Sequence, residues 1–149
     1  MSLKVDGLRE LDRALSELPK ATQGNVLKRT LLRGAEPVEA AAKSKVKKFT
    51  GALERDIETS TKLTRRQAAA ARRAGKSQAE VHIGVVDPAG VQTEFGNAHQ
   101  AADPWFRPAW DESQGEALNE IAGGLGEEIE KARGRLARKA ARLAAKNGG

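Results

Sequence analysis

From about position 107 onward the apolar residues of this chain recur at one spacing. Leu118, Ile121, Leu125, Ile129, Ala132, Leu136 and Leu143 mark a single stripe with the period of an α-helix. Arg107-Pro108 opens it, with the proline in the first turn where its missing N–H costs no hydrogen bond. A helix of this length has to be the element along which the rest of a short chain packs. Its charges are divided: residues 111–130 carry seven acids and no base, and residues 131–146 carry seven bases and no acid. A helix dipole favours that polarity, but it acts only over the end turns. The division therefore exceeds what helix stability requires, and it suggests a rod whose two halves meet neighbouring copies head to tail. Gly123, Gly124 and Gly126 interrupt the stripe at about 1 kcal/mol each relative to alanine, marking a hinge or a close helix approach.

Two more helices are expected ahead of it. Leu8, Leu11, Leu15 and Leu18 repeat at helical spacing behind Asp6, a suitable N-cap, and Pro19 ends the pattern. A basic helix follows over about 21–48, with Leu27, Leu31, Ala35, Val38, Ala42 and Val46 on one face and Pro37 inside it, where a proline should kink or break the helix. Residues 49–53, Phe-Thr-Gly-Ala-Leu, read as a turn, after which the period drops to two. Ile57, Thr59, Thr61 and Leu63 alternate with polar residues, as do Val81, Ile83 and Val85, and 91–95 is a third strand candidate after the turn signal Asp87-Pro88-Ala89-Gly90. The expected architecture is α+β: a small antiparallel sheet packed by N-terminal helices and a long C-terminal helix, in one domain over 1–149. Within it, 65–78 (RRQAAAARRAGKSQ) is expected to be a basic mobile arm between strands, because alone it is too short and self-repelling to be helical. Residues 146–149 should fray.

What such a chain can do is bounded by what it lacks. It has no cysteine and only two histidines, His82 and His99, so thiol chemistry and Cys- or His-rich metal sites are out. No apolar run approaches the roughly 20 residues of a membrane span, and the charged N-terminus has no signal-peptide core, which fits synthesis in a cytoplasm. No phosphate-cradling loop, dinucleotide fingerprint or nucleophile elbow occurs. The adjacent acids Glu127 and Glu128 read as solvated. No catalytic residue, cofactor or metal is expected. Of 58 apolar residues 26 are alanine, a lean supply for a core, as when part of the apolar surface is meant for another subunit.

Two stretches stand out. The net charge of +6 collects in the arm, at Arg65, Arg66, Arg72, Arg73 and Lys76, and in the tail 133–146. These are surfaces for a protein partner or for the phosphates of duplex DNA, although no aromatics are interleaved for base stacking. The second runs from Glu94-Phe95-Gly96 to Asp103-Pro104-Trp105-Phe106-Arg107-Pro108-Ala109-Trp110, with three of the five aromatics within six residues. These aromatics can plug the gap between sheet and helix, and a part-exposed tryptophan beside an arginine also suits an interface anchor.

The order of these features resembles the head–tail joining proteins of long-tailed phages, the neck, tail-completion or tail-terminator family. The resemblance covers roughly residues 5–135. It rests on Thr50-Gly51-x-Leu53 before a strand and on Glu94-Phe95-Gly96 followed by Pro104-Trp105-Phe106-Arg107-Pro108-Ala109. The chain departs from the family in having Val91-Gln92-Thr93 where aromatics are common, and in its Arg/Ala arm. The resemblance implies a structural virion protein, not an enzyme, that is assembled in the host cytoplasm as a homo-oligomeric ring of six subunits. That ring lies between the head connector or adaptor and the tail tube protein, with duplex DNA passing through it. The expected interface residues are Glu94, Phe95, Trp105, Phe106, Arg107 and Trp110. A small, basic, sequence-independent DNA-binding protein is the alternative.

Overall fold

The structure, a computed structural model, describes residues 7–48, 51–74 and 79–148. In chain order it comprises α1 (Leu8–Ser16), α2 (Lys20–Lys45), α3 (Ala52–Asp56), β1 (Ile57–Ser60), α4 (Arg65–Ala74), β2 (His82–Val85), α5 (Pro88–Phe95) and α6 (Phe106–Asn147). The fold is α+β, with one two-stranded antiparallel sheet among the described residues. Its register pairs Ile57 with Val85 and Ser60 with His82.

The spine is the pair α2 and α6. Arg29 meets Glu128, Gly34 lies against Ile121 and Ala117, and Lys45 meets Glu112, so the two helices run antiparallel. Gly34 marks a close approach of the two. A Cβ there would overlap the Ile121 side chain, 2.8 Å from its Cδ1, and would press on the Ala117 carbonyl oxygen at 3.2 Å. Apolar clusters close on either side of this crossing. Leu15 and Leu18 pack with Val26, Leu125, Ile129 and Ala132 toward one end. At the other, Ala42 and Val46 pack with Ile57, Trp105 and Ala109 beneath the sheet. Thr59 donates a hydrogen bond to Glu39, which also accepts one from Lys43, so a single α2 carboxylate ties β1 to the spine. Burial favours the neutral form of Glu39, but the Lys43 and Thr59 hydrogen bonds outweigh it and hold its pKa below the usual range.

Several expectations change. α2 runs unbroken through Pro37, because Ala35 and Val38 on either side of it are buried and that packing outweighs the roughly 3 kcal/mol cost of an interior proline. The strands are shorter than their alternation suggests. Gly51, in the left-handed region at φ 73°, starts the short helix α3 in place of a simple turn. Residues 91–95 are helical: Asp87 Oδ1 accepts the Ala89 N–H at 2.9 Å and Pro88 sits in the first turn, so the apparent turn signal is a helix start. The stretch from Arg65 to Ala74 is likewise helical, as α4, and a reciprocal cap explains it. The Gln67 N–H donates to Thr64 Oγ1 at 3.3 Å, and the Thr64 N–H donates to Gln67 Oε1 at 2.8 Å, a capping box that satisfies two orphan donors. α6 continues to Asn147, past the point where fraying is expected. Asp6, Phe49, Thr50 and Lys76 lie outside the described residues.

Candidate functional site

The Glu94-Phe95-Gly96 segment ends α5. Gly96, at φ 74°, turns the chain, and a Cβ there would come 2.7 Å from the Ala102 nitrogen and 3.0 Å from the Gln100 carbonyl oxygen, so only glycine fits without strain. Loop 97–104 is closed by the Asn97 N–H donating to the Gln100 carbonyl (2.9 Å) and by the Asp103 N–H donating to the Thr93 carbonyl (2.8 Å). The loop thereby returns the start of α6 to the side chain of Glu94.

Glu94 is buried, with 6% of its surface exposed. Its Oε2 accepts the N–H of Trp105 (2.7 Å) and of Phe106 (2.8 Å), and its Oε1 accepts that of Arg107 (3.1 Å). α6 has no cap from its own N-cap side chain; Glu94 supplies one from eleven residues upstream, placing a negative charge where the helix dipole is positive. Burial pushes the Glu94 pKa up, but the three N–H groups and the Arg107 guanidinium outweigh that, leaving it below the usual carboxylate range. Beside it, buried Trp105 donates from Nε1 to the Gly90 carbonyl at 3.1 Å and meets Phe106 edge to face with ring centroids 5.7 Å apart. Gly90 lets α5 lie on β2, since a Cβ would overlap the Val85 side chain.

The six residues expected at an interface therefore divide. Glu94 and Trp105 are interior: they hold the loop and the start of α6, and are not presented to a partner. Phe106 is half-buried and packs on the sheet-side core. Phe95, Arg107 and Trp110 face out, with Phe95 65% and Trp110 46% exposed. The Arg107 guanidinium lies over the Phe95 ring, 5.4 Å from its centroid. Between α5, β2 and the first turn of α6 opens an apolar cleft of about 310 Å³ lined by Ile83, Val85, Val91, Phe95 and Phe106. A second hollow, bounded by Val81, Ile83, Phe106 and Trp110, adjoins it. Exposed Val91 extends the surface, giving one apolar patch of a kind that marks interaction sites.

The charges are arranged differently from the expectation. Four of the seven acids in the first half of α6 pair with α2: Arg29 Nε binds Glu128 at 2.8 Å, Arg33 binds Glu127 at 2.8 Å and reaches Glu120 at 3.7 Å, and Lys45 binds Glu112 at 2.6 Å. Glu128 is buried rather than solvated, and the hydrogen bond and charge of Arg33 hold the Glu127 pKa low. These acids thus have partners within the chain, while Asp111 and Glu116 are exposed without an ion-pair partner among the described residues. On α4, Arg65, Arg66, Arg72 and Arg73 are all exposed, and the seven-residue spacing of 65 with 72 and of 66 with 73 sets them on one side of the helix. Among the described residues no three of His, Asp and Glu converge as a metal site, and no helix is long and apolar enough to cross a membrane. His82 sits on β2 with Nε2 3.5 Å from Glu80 and no hydrogen-bond partner. Set against protein-family models, curated proteins and solved structures, the chain matches none.

Proposed function

We propose that this chain is a structural virion protein of the phage neck or tail top. Copies of it form a ring, closed by six subunits as in the family it resembles, that completes or terminates the tail and joins it to the head connector. The observation that carries this reading is the apolar patch around Phe95 and Trp110. It is held open by a rigid clasp at Glu94, and it is built from the same motif that resembles the head–tail joining family. A lone subunit leaves this patch in water, whereas copies in a closed ring cover it by a heterologous contact. The work is geometric and not catalytic: the ring offers one face to the connector and the other to the tail tube protein. α4 offers its arginines to a neighbour or to DNA in the channel.

The test is assembly. Purified protein, alone and mixed with tail tubes, is examined by mass photometry and negative-stain microscopy alongside Phe95→Ala and Trp110→Ala. Rings in the parent protein and their loss in the variants support the proposal. A parent protein that stays monomeric in both settings overturns it.

A further inference from the structure

Beyond the ring, the last three turns of α6 pack on no core among the described residues. Leu136 is the last residue of α6 packed on a core, and residues 137–148 are all exposed. Lys131 and Arg133 are paired, with Glu128 and with Glu17 and Glu130. Arg135, Arg138, Lys139, Arg142 and Lys146 have no ion-pair partner among the described residues. At 100° per residue these five fall within about 100° of the helix circumference, and four of them line one shallow hollow. The opposite side is alanine and leucine. The result is a straight row of five cations, about 16 Å long at 1.5 Å per residue, with no acid after Glu130.

We infer that this row binds the sugar–phosphate backbone of duplex DNA without regard to sequence. A strand of B-DNA presents a phosphate about every 3.4 Å along the axis, so a 16 Å row passes about five of them, one for each cation. Three of the five are arginines, whose forked N–H groups suit phosphate oxygens. The chain's own exposed acids favour a second copy less. Those without an ion-pair partner among the described residues, Glu10, Asp12, Glu36, Glu58, Asp111 and Glu116, are dispersed over α1, α2, β1 and the first turns of α6 and form no matching row.

The full chain is titrated into a fluorescent 30-base-pair duplex of arbitrary sequence between 50 and 200 mM NaCl, with anisotropy as the readout. Five neutralised phosphates give a slope of log K against log salt near −4.5, a loss of about 500-fold over that range. The variant carrying Arg135→Gln, Arg138→Gln, Lys139→Gln, Arg142→Gln and Lys146→Gln is expected to bind at least 100-fold more weakly at 50 mM, with a slope near zero. Arg65→Gln, Arg66→Gln, Arg72→Gln and Arg73→Gln together are expected to leave the slope within one unit of the parent's. A flat titration of the parent protein overturns the inference. So does a slope lost in the α4 variant but kept in the α6 variant. Unchanged DNA affinity in the α6 variant, with a changed sedimentation coefficient, also overturns it and makes the row a contact between copies. None of these outcomes depends on whether a ring forms.

Discussion

Replacing Glu94 removes the acceptor of three N–H groups at once. Trp105, 3% exposed, is left with a buried unpaired N–H in Glu94→Ala, which costs about 1–3 kcal/mol. Loss of the negative charge at the positive end of α6 adds about 1 kcal/mol. The expected total is about 3 kcal/mol, or a fall in Tm of about 6–12 °C for a chain of this size. Glu94→Gln keeps the shape and can still accept two of the three bonds, but it turns an amide N–H toward the third donor, for about 2 kcal/mol. Urea unfolding followed by circular dichroism at 222 nm measures both, with the slope unchanged if only stability has moved. The pH dependence is a second check. The folded-state pKa of Glu94 is depressed, so the stability it contributes is fully present above its unfolded value of about 4.3. That stability is lost as the pH falls through the lower folded value. The gap between the parent protein and Glu94→Gln should therefore be constant from pH 7 to 5 and shrink below about pH 4. A loss under 1 kcal/mol for Glu94→Ala, or a gap as wide at pH 3 as at pH 7, refutes the clasp.

Other perturbations read separate parts of the structure. Gly34→Ala sets a methyl into Ile121 and the Ala117 carbonyl and should cost about 1–3 kcal/mol by overpacking, measured by thermal melting. Gly123→Ala, with nothing within 4 Å, should instead stabilise by about 0.5–1 kcal/mol. Thr64→Ala removes half of the α4 capping box and should cost about 1 kcal/mol locally, seen as faster hydrogen exchange over 65–74 with global stability unchanged. Trp110→Ala, at an exposed position, should leave monomer stability within about 1 kcal/mol while abolishing ring assembly.

Periodicity made the helices legible because their apolar faces are local patterns: the stripe from Leu118 to Leu136 packs as its spacing predicts. Local chemistry was misread at 91–95, where alternating residues suggest a strand but Asp87 and Pro88 start a helix. It was also misread at 65–74, where Thr64 and Gln67 stand at capping-box spacing, a signal present in the sequence that outweighs the mutual repulsion of the arginines. What could not be read was any relation between distant residues. The charge division of α6 does not by itself reveal that Arg29, Arg33 and Lys45 stand opposite four of its acids. In the same way, Glu94 has the profile of an interface residue until the loop brings three backbone N–H groups to it. The aromatic cluster was half legible: one tryptophan packs inside and the other faces water, a distinction set by the turn of α6 and by nothing in composition.

Reconstruction of the neck of intact particles by electron cryomicroscopy bears most directly on whether this chain works as a ring subunit. Density for a closed ring of this fold between connector and tail tube, with Phe95 and Trp110 covered by the adjacent copy, is the expected result. A neck in which this fold is absent, or in which those two side chains remain in solvent around the whole ring, contradicts it.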